Sequence, residues 1–150
     1  MGWHERKVEN FKKDGNFHKK MANETVKKVE PEFSDARGAI SNILEEPINH
    51  VAIITSKAGS VRANHYHPEQ IQYVYLISGK YESHSKDLRN ENSGTEKIIV
   101  EKGSLVITPP MIAHAMKFIE DSVMLNLTTA DRDPASYEKH TKKFKLIEEQ

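Results

Sequence analysis

The chain has 150 residues, enough for one domain with a substantial core. Its 22 Lys plus Arg balance 22 Asp plus Glu, so it lacks the basic excess on which nucleic-acid binding usually rests. It has no cysteine, which excludes disulfide scaffolds and thiolate metal sites and leaves His, carboxylate and amide oxygen as possible ligands.

Residues 1–32 are polar and lysine-rich, and are read as an N-terminal extension to a domain spanning 33–150. Their opening, "MGWHERKVENFKK", is charged where a signal peptide needs an apolar core. No apolar run approaches the roughly 20 residues that span a bilayer. A cytoplasmic protein without a membrane or nucleic-acid partner is the expectation.

From residue 34 the pattern changes. "SDARG" carries turn residues, and "GAISNIL" (38–44) reads as a strand. "HVAIITSKAG" (50–59), "SVRANHYH" (60–67) and "IQYVYLISGKYESHS" (71–85, broken at Gly79) follow as further strands. After a loop at 88–96 come "KIIVEKG", "SLVITPP", "HAMKFIED" and "SVMLNLTTA". About eight short strands with turn residues between them predict an all-β sandwich or barrel. Asp133 before Pro134 has the form of an N-cap with proline at the first helical position, predicting a short C-terminal helix.

Two histidines, His65 and His67, stand one residue apart on the third of these strands. Alternate strand residues share a face, about 6.6 Å apart at the usual rise. The pair can therefore converge on one metal ion, act as bases, or be surface polars. Their surroundings give a pattern. Gly59 is followed by five residues, His65-Tyr66-His67, four residues, Gln72, six residues and Gly79. Gly103 is followed by five residues and Pro109, with His114 five positions beyond.

These spacings resemble the two conserved motifs of the cupin superfamily. Three positions depart from them: Gln72 replaces a glutamate, Met111 a glycine and Phe118 an asparagine. The resemblance implies an all-β double-stranded β-helix, or jelly-roll, barrel. It implies one divalent metal ion (Fe, Mn, Ni or Zn) held by His65, His67, Gln72 and His114. Three imidazoles and an amide bring no charge to a divalent ion, where the usual glutamate brings one. Glu69, two residues past His67 at a bend, is the candidate to compensate as an acid or base. The resemblance also implies a homodimer. His4, His18, His50, His84 and His140 sit in polar contexts and read as surface residues.

Two narrower resemblances point to substrate. Sugar-nucleotide 3,5-epimerases, themselves cupins, carry D-x-R-G and R-G-x-H-Y-Q segments. Asp35, Arg37 and Gly38 match the first, and Arg62, His65 and Tyr66 the second, with Ala63 in place of glycine. Sugar-nucleotide 3,4-ketoisomerases carry R-G-x-H-A-H-K, matched at Arg62, His65 and His67. These resemblances imply an isomerase or epimerase that removes a proton next to a carbonyl of a sugar or sugar nucleotide. His65, Glu69, Tyr73 and Tyr75 are then the candidate acids and bases, and Arg37, Arg62 and Lys117 the substrate contacts. Two other classes stay open: a non-haem metal-dependent dioxygenase, and a non-catalytic binder using an apolar barrel lined by Val74, Leu76, Val106 and Met116.

Overall fold

The computed structural model describes residues 22–130, 135 and 139–149. They form twelve strands: β1 (Thr25–Lys28), β2 (Phe33–Asp35), β3 (Gly38–Ile40), β4 (His50–Ser56), β5 (Val61–Tyr66), β6 (Gln72–Ser78), β7 (Lys80–Asp87), β8 (Glu96–Glu101), β9 (Ser104–Thr108), β10 (Ile112–Phe118), β11 (Ser122–Thr128) and β12 (Lys142–Lys143). Two antiparallel five-stranded sheets run β1-β9-β6-β11-β4 and β12-β5-β10-β7-β8, with β2 and β3 as a separate hairpin. The strand-and-turn pattern predicted an all-β sandwich or barrel, and the cupin resemblance implied this jelly roll. Buried and half-buried residues alternate along all seven positions of β11.

The sheets close on a shared core. Val74, Leu76, Val106 and Met124 come from one sheet, and Tyr81, Val100, Met116 and Phe118 from the other. Gly79 makes the sharp turn from one sheet to the other at φ +94°. A Cβ there would lie 2.6 Å from the Asp121 carbonyl oxygen, so only glycine fits.

Each inward row changes chemistry at the same height of the barrel. Along β6, Leu76 and Val74 give way to Gln72; along β9, Val106 gives way to Thr108. Along β10, Phe118 and Met116 lead to His114, and along β11, Met124 leads to Asn126 and Thr128. On β7, Tyr81 is followed by Ser83 and Ser85. The register aligns these switches: Gln72 lies opposite both Thr108 and Thr128, and His114 opposite Ser85. One end of the barrel is thus an apolar plug, and the other a buried polar chamber.

Two segments depart from the sequence expectation. Only Gly38–Ile40 of the predicted 38–44 strand pairs in a ladder. Beyond it, Ile43, Leu44 and Ile48 cross the outer face of the first sheet and pack near Tyr73, Leu105 and Ile107. Burying those side chains draws the segment out of the hairpin. Residues 25–28, placed in the extension by composition, form β1 and pair with β9. Residues 1–21 lie outside the described residues, as do 131–134 and 136–138, with Asp133 and Pro134 of the expected helix. Ala135, Lys139 and His140 are helical.

Candidate functional site

The polar chamber is built around three imidazoles. His65 on β5 lies directly opposite His114 on β10. His67 follows just past the end of β5. The candidate ligand nitrogens of His65, His67 and His114 all lie within 4.8 Å of one another. Ring centroids are 4.7 Å apart for His65–His67, 4.8 Å for His65–His114 and 5.9 Å for His67–His114. His67 and His114 are buried, and His65 is half-buried. A bulge in the β5–β10 pairing accompanies the left-handed residues Ala63 (φ +67°) and Asn64 (φ +56°), which re-aim the strand just before His65.

Hydrogen bonds orient the chamber's amide and one of its rings. Gln72 donates from Nε2 to Asn126 Oδ1 at 2.6 Å, which turns its Oε1 toward His67 Nε2, 3.3 Å away. The Nδ1 of His67 lies 2.9 Å from the His140 carbonyl oxygen, to which it donates when it carries the proton. That tautomer leaves the Nε2 lone pair available. In the other tautomer, Nδ1 accepts from the Gln70 amide at 3.1 Å, and Nε2 donates to Gln72.

Glu24, immediately before β1, is also buried in this chamber. Its two carboxylate oxygens accept hydrogen bonds from the hydroxyls of Ser83 and Thr108. Oε2 lies 3.9 Å from His114 Nδ1, an electrostatic approach longer than a hydrogen bond. Burial raises the Glu24 carboxyl above its usual pKa, against the lowering effect of the two hydroxyls. His114 is held well below the ordinary imidazole value, first by burial and then by the neighbouring His65 and His67. Three rings this close cannot all carry charge, and the buried His114 is the one held toward its neutral form.

The structure gathers His65, His67, Gln72 and His114 in one place. Glu69 is exposed on the bend between His67 and β6, at the polar end of the barrel. The remaining predicted contacts lie elsewhere. Tyr73 and Tyr75 alternate with Gln72 and Val74 on β6, so their rings face the outer side of the sheet, with Tyr73 buried near Leu105 and Ile107. Burial and the nearby Glu46 raise the Tyr73 hydroxyl pKa. Arg37 is paired with Asp35 at 2.6 Å on the exposed β2–β3 hairpin. Arg62 donates to Ser56 Oγ and the Thr55 carbonyl, at the end of β4 opposite His50 and the chamber. Lys117 is exposed, next to the buried Met116 and Phe118 on β10. Sequence reading missed Glu24, Asn126 and the His140 carbonyl. Glu24 and His140 had no motif around them, and Asn126 showed only as one polar residue inside the apolar strand "SVMLNL".

The chemistry of this donor set fits a divalent ion. Three imidazole rings converge, and the Gln72 amide presents oxygen rather than nitrogen. The buried Nε2 of His114 has no hydrogen-bond partner among the described residues. An orphaned donor-acceptor atom in a buried polar chamber calls for a partner such as a metal.

Comparisons with known proteins agree with this architecture. The family described as the polysaccharide biosynthesis C-terminal domain matches residues 33–138. A search of curated proteins finds no match. Among solved structures, the rmlC epimerase of Mycobacterium tuberculosis is 18% identical, with 81% of this chain and 68% of that chain covered at a TM-score of 0.65. A 3,4-ketoisomerase of Helicobacter canadensis is 20% identical, with 79% and 89% covered and a TM-score of 0.65. A double mutant of the 3,4-ketoisomerase QdtA from Thermoanaerobacterium thermosaccharolyticum, in complex with TDP, is 22% identical, with 81% and 88% covered and a TM-score of 0.64. At these identities the likeness establishes the cupin jelly-roll fold. No helix among the described residues is long and apolar enough to cross a membrane.

Proposed function

The chain belongs to the polysaccharide biosynthesis C-terminal domain family, and on that premise we propose that it is a metal-assisted isomerase or epimerase of a sugar nucleotide. The observation that carries the reading is the convergence of His65, His67 and His114 in the buried polar chamber of the cupin barrel. The similar solved structures include an epimerase and 3,4-ketoisomerases, one of them in complex with TDP.

His65, His67, His114 and the Gln72 amide oxygen would hold a divalent ion. Bound there, it would supply positive charge for the enolate oxygen that develops when a proton leaves the carbon beside a ketosugar carbonyl. Asn126 holds the Gln72 amide in the orientation that presents its oxygen. The apolar plug of Leu76, Tyr81, Met116 and Phe118 closes the opposite end of the barrel and keeps water from reaching the chamber from behind. In this reading Glu69, exposed on the bend after His67, takes the proton from carbon and returns it. The protein acts as a homodimer in this reading. Support comes from the edge strand β4, which exposes 57% of Val51 and 68% of Ile53 on the outer sheet face.

The test is proton NMR of nucleoside-diphosphate 4-keto sugars incubated with the protein in D2O, with and without a chelator. Deuterium should enter the sugar ring beside the carbonyl, chelation should slow that exchange, and Glu69→Gln should abolish it. Oxygen consumption without exchange would overturn the isomerase reading in favour of a dioxygenase. Binding with neither would leave a ligand-binding cupin.

A further inference from the structure

We propose that Glu24 is a positioning residue for the metal centre, supplying from behind His114 the negative charge that Gln72 does not. The inference rests on the metal reading above and adds to it a residue outside both sequence motifs.

Four observations carry it. Among the described residues, Glu24 is the only buried carboxylate in the molecule. Its position follows from register: Thr25 on β1 pairs with Ile107, so the preceding residue stands level with Thr108, which itself faces Gln72. Ser83 and Thr108 each hold one of its oxygens, so the carboxylate cannot swing away from His114. Finally, the Glu24 oxygen stands 3.9 Å from the Nδ1 edge of His114, while the Nε2 of the same ring is buried and without a hydrogen-bond partner.

The physical consequence concerns tautomer and charge. A carboxylate beside Nδ1 favours the proton on that nitrogen and leaves the lone pair on Nε2, where a metal can take it. A ligand set of three imidazoles and an amide is neutral, so a divalent ion would be buried without compensation. A carboxylate one imidazole away reduces that cost without entering the coordination sphere. Conversely, a buried carboxylate held by two hydroxyls beside His114, with Glu96 adding like-charge repulsion, is costly, and a cation across His114 offsets it.

The experiment follows cobalt(II) binding by visible absorption in wild type, Glu24→Gln and Glu24→Asp, alongside histidine 15N chemical shifts of the metal-free proteins. Glu24→Gln should weaken cobalt binding by roughly 10- to 100-fold, the usual effect of losing an outer carboxylate partner, with Glu24→Asp recovering part of it. Metal-free wild type should show His114 protonated at Nδ1, and Glu24→Gln should lose that preference. Equal cobalt affinity in wild type and Glu24→Gln would overturn the proposal. If wild type binds no cobalt, the metal reading fails by itself. The 15N comparison then still tests the contact itself: an unchanged His114 tautomer overturns any role for Glu24, and a changed one upholds Glu24 only as the group that sets that tautomer. Should Glu24→Gln fail to fold, Thr108→Ala, which releases one carboxylate oxygen and keeps the charge, should weaken cobalt binding several-fold, and unchanged affinity there would count against the proposal.

Discussion

The backbone amide of Met111 donates to the carbonyl of His67 at 2.8 Å, and Met111 makes this bond from a left-handed conformation at φ +66°. The loop before β10 is thereby pinned to one of the candidate ligands. A side chain with a Cβ costs roughly 1–2 kcal/mol in that region. Met111→Gly should therefore raise stability by about 0.5–1 kcal/mol after the extra unfolded-state entropy of glycine is subtracted. Urea unfolding checks this, and an unchanged or lowered midpoint would show that the methionine side chain contributes more than the strain costs.

This strain also bears on what the sequence could reveal. Met111 and Ala63 are positions where the resembling motifs carry glycine, and both have positive φ. The motif spacing survives because the backbone shape survives, although the residue best suited to that shape is gone. Short strands between turn residues were enough to find an all-β fold, and the resemblance to the cupin motifs brought His65, His67, Gln72 and His114 together. With Gln72 inward, alternation puts Tyr73 on the outer face, and what the sequence did not show is that Ile43, Leu44 and Ile48 cover that face and bury it. Glu24 was invisible for a different reason. Its burial depends on pairing with β9 across more than 80 residues, and nothing local in "MANETVKK" marks it.

Restoring a carboxylate at the motif position should strengthen metal binding. Gln72→Glu adds one negative charge where the amide oxygen now lies 3.3 Å from His67. A gain of about tenfold in zinc or manganese affinity, near 1.4 kcal/mol, is expected. Asn126 must then reverse its amide to donate, so Gln72→Glu/Asn126→Asp should lose that gain. Isothermal titration calorimetry reads both, and equal affinity in wild type and Gln72→Glu would remove Gln72 from the ligand set.

The metal-free protein should show the cost of holding Glu24 in the barrel. Its carboxyl pKa is raised in the folded state, chiefly by burial, so the folded protein binds that proton more tightly than the unfolded chain. The resulting stabilisation is present below the unfolded value near 4.5 and is lost as pH rises through the folded value. Glu24→Gln removes this dependence. In chelator, it should be more stable than wild type at neutral pH, and the difference should shrink on acidification. His114 contributes the opposite slope in both proteins, losing stability as pH falls below about 6.5. Thermal melts from pH 4 to 8 provide the comparison. A Glu24→Gln melting point below wild type throughout would mean that the carboxylate's hydrogen bonds outweigh its desolvation.

The outer face of β4 should mediate self-association. Ile53 lies opposite Leu125 on β11, which in turn lies opposite Tyr75 on β6, making an apolar row across the sheet. Ile53→Glu places a charge on an exposed position of that row, with little expected effect on the fold because the side chain is 68% exposed. Analytical ultracentrifugation should show a dimer for wild type and a monomer for Ile53→Glu. A wild-type monomer would dismiss this face as an interface.

The His140 carbonyl on His67 has a consequence for how the protein assembles. Together with Glu24, it means that the chamber is walled by residues from early and late in the chain, through contacts spanning 73 and 84 positions. Asn64 adds a similar long-range clasp, its side-chain oxygen accepting from the amides of Leu146 and Ile147. The chamber is therefore complete only when segments on both sides of the three imidazoles in the chain have come together. Contacts of this span make for slow folding, on the scale of milliseconds to seconds. The candidate site is thus a late product of folding, and its three histidines share one chamber only once the two ends of the described chain have closed around them.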